Sequence, residues 1–146
     1  MRARLKQLLH EYIRENNPDV LVLLESETKL STYLELKVDG VSSLIEELKS
    51  KQRPNYIIEE QCLEELTHDL RPSKYLFLKN LLEEEFESDY KRLTDAGVLT
   101  YEIINLIDSC QPVFEILPIT ETTDDDNHLR YAIAGVIAEY LEMQTV

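Results

Sequence analysis

The stretch DVLVLLESETKLSTYLELKVDG, residues 19 to 40, admits two readings, and the choice between them sets the fold class. Val20, Leu23, Leu24, Glu27, Leu30 and Leu34 recur at helical steps, with apolar side chains dominating one side of a coil. Within the same stretch TYLELKVDGV alternates in period two and ends in Asp-Gly, which is the pattern of a strand entering a tight turn. Helix is the favoured reading, and the strand stays open.

The segments on either side read as helix. Leu5, Leu8, Leu9, Tyr12 and Ile13 form one stripe, and ENNPD stops it. Pro18 restricts Asn17 and can begin the next helix, with Asn17 as its N-cap. Val41 to Leu48 predict a short helix that closes before KQRPN. Asn55 can cap a helix carrying Cys62, Leu63, Leu66 and Leu70 on one side. Pro72 and Ser73 then start a run whose stripe is Leu78, Leu81, Leu82 and Phe86, with Glu83, Glu84 and Glu87 toward solvent. KRLTDAG ends that run, and Gly97 suits a left-handed position. Thr100 can cap a helix bearing Ile103, Leu106, Ile107, Cys110, Phe114 and Leu117, in which Pro112 predicts a kink or break after Cys110.

The last helix, about Asp125 to Met143, has no charged residue between Tyr131 and Ala138. That predicts at least two buried faces. Ala134, Gly135 and Ala138 predict a neighbouring helix in close approach, which would make this the central helix. The whole reads as an all-α, single-domain bundle over residues 1–146 with about six or seven helices.

Composition narrows the function. A chain of 146 residues with 43% hydrophobic residues can build a core, and three glycines with five prolines argue against a turn-rich β fold. The net charge is −14. Residues 1–73 hold 10 basic and 14 acidic side chains (−4), and residues 74–146 hold 5 and 15 (−10), which together recover the total. A field of that sign repels phosphates, so no direct contact with nucleic acid and none with an anionic membrane is expected. Cys62 and Cys110 lie far apart, outside any CxxC pair, and read as free buried thiols. The opening MRARLKQLLHEYIREN is broken by charge at every turn, unlike a signal peptide, and no run approaches the ~18 apolar residues of a membrane span. A reducing cytoplasm is the expected setting.

The residues that could carry chemistry are few. Asp124-Asp125-Asp126 with His128 invites a calcium loop. Counted from Asp124, however, the sixth residue is Leu129 and the twelfth Gly135, where such a loop needs glycine and glutamate. Helix initiation accounts better for these residues and Thr123. Glu65-Leu66-Thr67-His68 is a Glu-x-x-His of the kind di-iron bundles use in pairs, but its only counterpart, Asp125-Asp126-Asn127-His128, sits at a helix start. Neither cysteine has a histidine nearby in sequence, and Ser42, Ser43 and Ser73 suit helix starts. Acidic pairs such as Glu84-Glu85 suit a solvated face, and Tyr75, Phe77 and Phe86 suit a core. Three scattered glycines rule out a phosphate-cradling loop. Arg2, Arg4 and Lys6 read as ordinary solvated charges. No catalytic, cofactor-binding or metal-ligating residue is assigned, and no cofactor is expected.

Several strings resemble a known family. LRPSKYLFLKNLLEEEF, CQPVFEIL and GVIAEYLE are similar to the C-terminal half of domain-of-unknown-function family 1896, small helical proteins of Bacteroidetes often carried near mobile elements. The matching positions are Ser73, Tyr75, Leu78, Leu82, Glu85 and Phe86, then Cys110, Val113 and Phe114, then Gly135, Ile137, Tyr140, Leu141 and Glu142. LHEYIRENNPD resembles that family's opening helix, whereas residues 20–53 depart from its alanine-rich pattern. The resemblance implies an all-helical domain, favours helix over residues 19–40, and brings no activity or site residues. The expected function is a non-enzymatic protein-interaction module that acts through a protein partner or as a homo-oligomer. Two rivals are a metal-dependent enzyme using His68 or His128 with nearby acids, and an acidic decoy that mimics DNA.

Overall fold

In the computed structural model, which describes residues 1–120 and 127–144, the stretch 19–40 forms two helices. After α1 (Arg2–Asn16), these are α2 (Pro18–Ser26) and α3 (Leu30–Asp39). No strand occurs among the described residues. The apparent alternation Leu34, Leu36, Val38 is split by the helix. Val38 is fully buried and Leu34 half-buried, one turn apart, while Leu36 remains 65% exposed. A strand would have put all three on one face.

The break between α2 and α3 has a specific construction. Thr28 takes φ 54°, its N–H donates to the Glu25 carbonyl at 3.1 Å, and the Lys29 N–H donates to the Leu24 carbonyl at 2.8 Å. These are the two bonds of a Schellman closure, with threonine at the left-handed position that glycine usually holds. The same pair of bonds recurs at Gln52 (φ 58°) and at Gly97 (φ 74°). Only Gly97 was legible as a helix stop, because only there is the residue the usual one.

The remaining helices are α4 (Ser42–Ser50), α5 (Asn55–Leu66), α6 (Lys74–Glu85), α7 (Glu87–Asp95), α8 (Leu99–Ile116) and α9 (Asn127–Gln144), with a 3-10 turn at His68–Leu70. Nine α-helices among the described residues replace the expected six or seven. One additional helix comes from the Thr28 break. The other comes from Phe86, whose angles (φ −133°, ψ 52°) end α6 and start α7. Glu87 and Asp89 in the first turn of α7 favour the positive end of its dipole. Conversely, α8 continues through Pro112 with no break after Cys110. Asp108, whose carbonyl Pro112 leaves without its helical donor, is exposed, so water can supply the bond.

The chain forms two compact units, Met1–Arg71 and Pro72–Val146. In the first unit, α1 packs against α2, α3 and α5. Its core joins Leu5, Leu9 and Ile13 to Val38, Val41, Ile45, Leu48, Ile58, Cys62 and Leu66. In the second, α8 packs against α6, α7 and α9. Its core joins the α6 residues Phe77, Leu78, Leu81 and Leu82 to Ile103, Leu106, Cys110 and Phe114 of α8 and to the α9 stripe.

That stripe corrects the reading of α9 as central. Leu129, Ile133, Ile137 and Leu141 are its buried residues, at steps of four, which is one face rather than two. Tyr131 is 75% exposed, and a Cβ placed on Gly135 would meet no heavy atom within 4 Å. The uncharged stretch 131–138 therefore reflects small side chains on a half-covered helix, and no helix closes on Gly135 among the described residues. No helix among the described residues is long and apolar enough to cross a membrane.

Candidate functional site

A concavity in the first unit lies between α4 and α5. The Gln52 closure ends α4, and Pro54 in extended geometry (φ −68°, ψ 156°) begins α5. Pro54, not Asn55, holds the cap position, and Asn55 enters the first turn. Ile58, Cys62 and Leu66 face the core at steps of four, which leaves Glu60, Gln61, Glu64 and Glu65 on the outer side of α5. With Leu44, Ile57 and His68 these four line a groove of about 560 Å³. Leu44 and Ile57 are half-buried and make its apolar floor, and the rim is acidic.

Hydrogen bonds fix the end of the groove that carries His68. The Thr67 hydroxyl donates to the Leu63 carbonyl at 2.8 Å, and Arg71 donates to the Glu64 carbonyl at 3.2 Å, a cation set at the negative end of α5. Lys37 pairs with Asp69 at 2.9 Å. Asn17 was expected to cap α2 but makes no side-chain cap bond there. Instead it is buried, and its Nδ2 donates to the Leu70 carbonyl at 3.1 Å across 53 residues of sequence. Asn17 thus fastens the 3-10 turn to the α1–α2 junction.

The rim is chemically simple. No lysine or arginine lines the groove, and among the described residues the carboxylates of Glu60, Glu64 and Glu65 form no ion pair. Glu65 and His68 do share this surface, as their spacing implies. Yet among the described residues no three His, Cys, Asp or Glu side chains are grouped so as to hold one metal ion. His128 is exposed at the start of α9, in the other unit. Thr123 and Asp124-Asp125-Asp126 lie outside the described residues, and with them the cap proposed there.

The other candidates resolve into packing. Cys62 and Cys110 are free and fully buried, one in each core. Burial pushes the Cys62 thiol up and takes Cys110 to about 11. A thiol held protonated is a poor nucleophile. Phe77 meets Phe114 edge to face at 6.3 Å, the Tyr75 hydroxyl shares a hydrogen bond with Thr100 at 3.2 Å, and Phe86 packs against the same core. At the exposed surface Arg2 pairs with Glu35 and Asp39, and Lys6 with Glu35. Glu35 is held below the usual carboxylate range by the Lys6 ammonium. Ser73 caps α6 as expected, its Oγ accepting from the Leu76 N–H at 3.1 Å.

One polar cluster had no clear sequence signal. Tyr140 donates to Glu102 Oε2 at 2.5 Å and Gln144 donates to the same oxygen at 2.6 Å, which ties α9 to α8. Burial, and then Glu102 itself, push the Tyr140 hydroxyl up to about 12. The four-residue spacing of Tyr140 and Gln144 was visible, but the facing Glu102 was not. The groove had a fainter trace, in Glu60/Glu64 and Gln61/Glu65 at one-turn spacing opposite the apolar stripe of α5. Comparison of the chain with family models, with curated proteins and with solved structures finds no match.

Proposed function

We propose that this chain is a non-enzymatic helical module that works by binding protein, either a partner or a second copy of itself. The observation that carries the reading is α2. Val20-Leu21-Val22-Leu23-Leu24 is a run of five apolar residues without a charge, and none of the five is buried. Val22 is 51% and Leu23 56% exposed. Val20 and Leu21 pack partly against the core of the first unit, which leaves Val22 and Leu23 as adjacent exposed apolar side chains available to a partner. The buried, protonated thiols support the same reading by withdrawing the strongest nucleophiles from solvent. Two free cysteines also support a reducing, cytoplasmic setting.

Light scattering on the purified chain, with a pull-down from its own cytoplasm, tests the proposal. Self-association or a specific partner is expected, and Val22→Ser with Leu23→Ser should abolish it while the helical signal is retained. A strict monomer that retrieves nothing contradicts it. A second reading, an acidic decoy for a nucleic-acid-binding protein, draws on the −10 net charge of residues 72–146. It requires a basic partner whose binding falls steeply with salt, and salt-indifferent binding removes it.

A further inference from the structure

We infer that the α4–α5 groove docks a cationic, amphipathic segment of a protein partner, with lysine or arginine side chains against Glu60 and Glu64 and an apolar side chain on Leu44 and Ile57. This rests on the reading of the chain as a binding module and assigns it a second surface, apart from Val22 and Leu23 of α2. The groove combines an apolar floor with a rim of one sign. Several cations of the same unit are already engaged. Arg4 reaches Glu59 at 3.5 Å, Lys51 pairs with Glu47, Lys37 with Asp69, and Arg71 caps backbone carbonyls. Glu60, Glu64 and Glu65 are left without an ion pair among the described residues, whereas Glu59, on the same helix, has one.

Glu60 and Glu64 stand one turn apart on the same helix face, and like charges at that spacing repel and weaken a helix. A partner with two cations one helical turn apart would neutralise both at once, and an apolar residue between them would reach the floor. Complementary charge sets register and encounter rate, while the apolar anchor adds affinity. An isolated metal ion is a poorer occupant, because no three ligating side chains are grouped there among the described residues.

The test uses the full chain, isotope-labelled, titrated with a synthetic helical peptide bearing two lysines one turn apart and a leucine between them. A twin peptide with glutamates for lysines is the control. Amide shifts should gather on Leu44, Ile57, Glu60, Glu64 and His68, and the twin should give none. Binding should weaken about tenfold in Glu60→Gln/Glu64→Gln. It should also weaken between about 0.01 M and about 0.15 M salt, as the Debye length shortens from about 30 to about 8 Å. Both substitutions lie on an exposed face and relieve a repulsion, so the variant should fold at least as well as the parent. Equal binding by the variant, absence of shifts, or shifts gathered on Phe86 and Leu141 of the more acidic unit would each overturn the inference. Self-association lost on substituting Val22 and Leu23 would in that event leave the broader binding reading standing.

Discussion

Replacing Gly135 with alanine should stabilise this protein. Gly135 lies inside α9, where glycine is less favourable than alanine by about 0.8–1.0 kcal/mol. The residue is exposed, and a Cβ there meets no heavy atom within 4 Å, so no steric cost offsets the gain. A net increase of about 1 kcal/mol follows. With a urea slope of about 1–3 kcal/mol/M, the unfolding midpoint should rise by about 0.3–1 M, read by far-ultraviolet circular dichroism. Ile137, two positions along, is fully buried on the opposite stripe, and Ile137→Ala should cost about 2–5 kcal/mol. If a helix did close on Gly135, alanine would overpack the contact and lower stability by about 1–3 kcal/mol. A fall in the midpoint for Gly135→Ala would therefore refute the placement of α9.

Thr28→Gly and Gln52→Gly should each stabilise by roughly 0.5–1 kcal/mol, since relief of left-handed strain exceeds the added chain entropy, whereas Gly97→Ala should destabilise; equilibrium unfolding of the three variants reads the signs. Asn17→Asp keeps a capping side chain but removes the donor to Leu70, so it should destabilise by about 1–3 kcal/mol, and a neutral result in the same assay would restore the capping role. Cys110 should resist thiol reagents until the chain is unfolded, because its thiol stays protonated up to about 11. The unfolded thiol ionises at lower pH than the native one, so alkaline conditions favour the unfolded chain. Stability should fall as pH rises from the ordinary thiol range toward about 11, and Cys110→Ala should flatten that part of the profile.

The legible parts of the fold were those written in local periodicity. The stripe Leu5, Leu9, Ile13, the cap at Ser73 and the stop at Gly97 depend on neighbours within a turn or two. Thr28 and Gln52 were illegible because threonine and glutamine are unusual at left-handed positions, where the surrounding hydrogen bonds compel them. Asn17 was misread because its partner, Leu70, is brought near only by tertiary packing. Leu36 mimicked a strand by falling between two core positions, and the charge-free residues of α9 mimicked a central helix. The acidic groove was half visible. The spacing of Glu60 and Glu64 is a sequence fact, but the apolar floor beneath them is supplied by Leu44 from another helix.

The most direct test of the account is the backbone carbon-13 chemical shift along residues 19–40. Two helical blocks are expected, over residues 19–26 and 30–39, separated by a single reversal at Thr28. A continuous extended pattern across residues 32–38 would contradict it, because the core of the first unit is built on Val38 facing inward while Leu36 faces out.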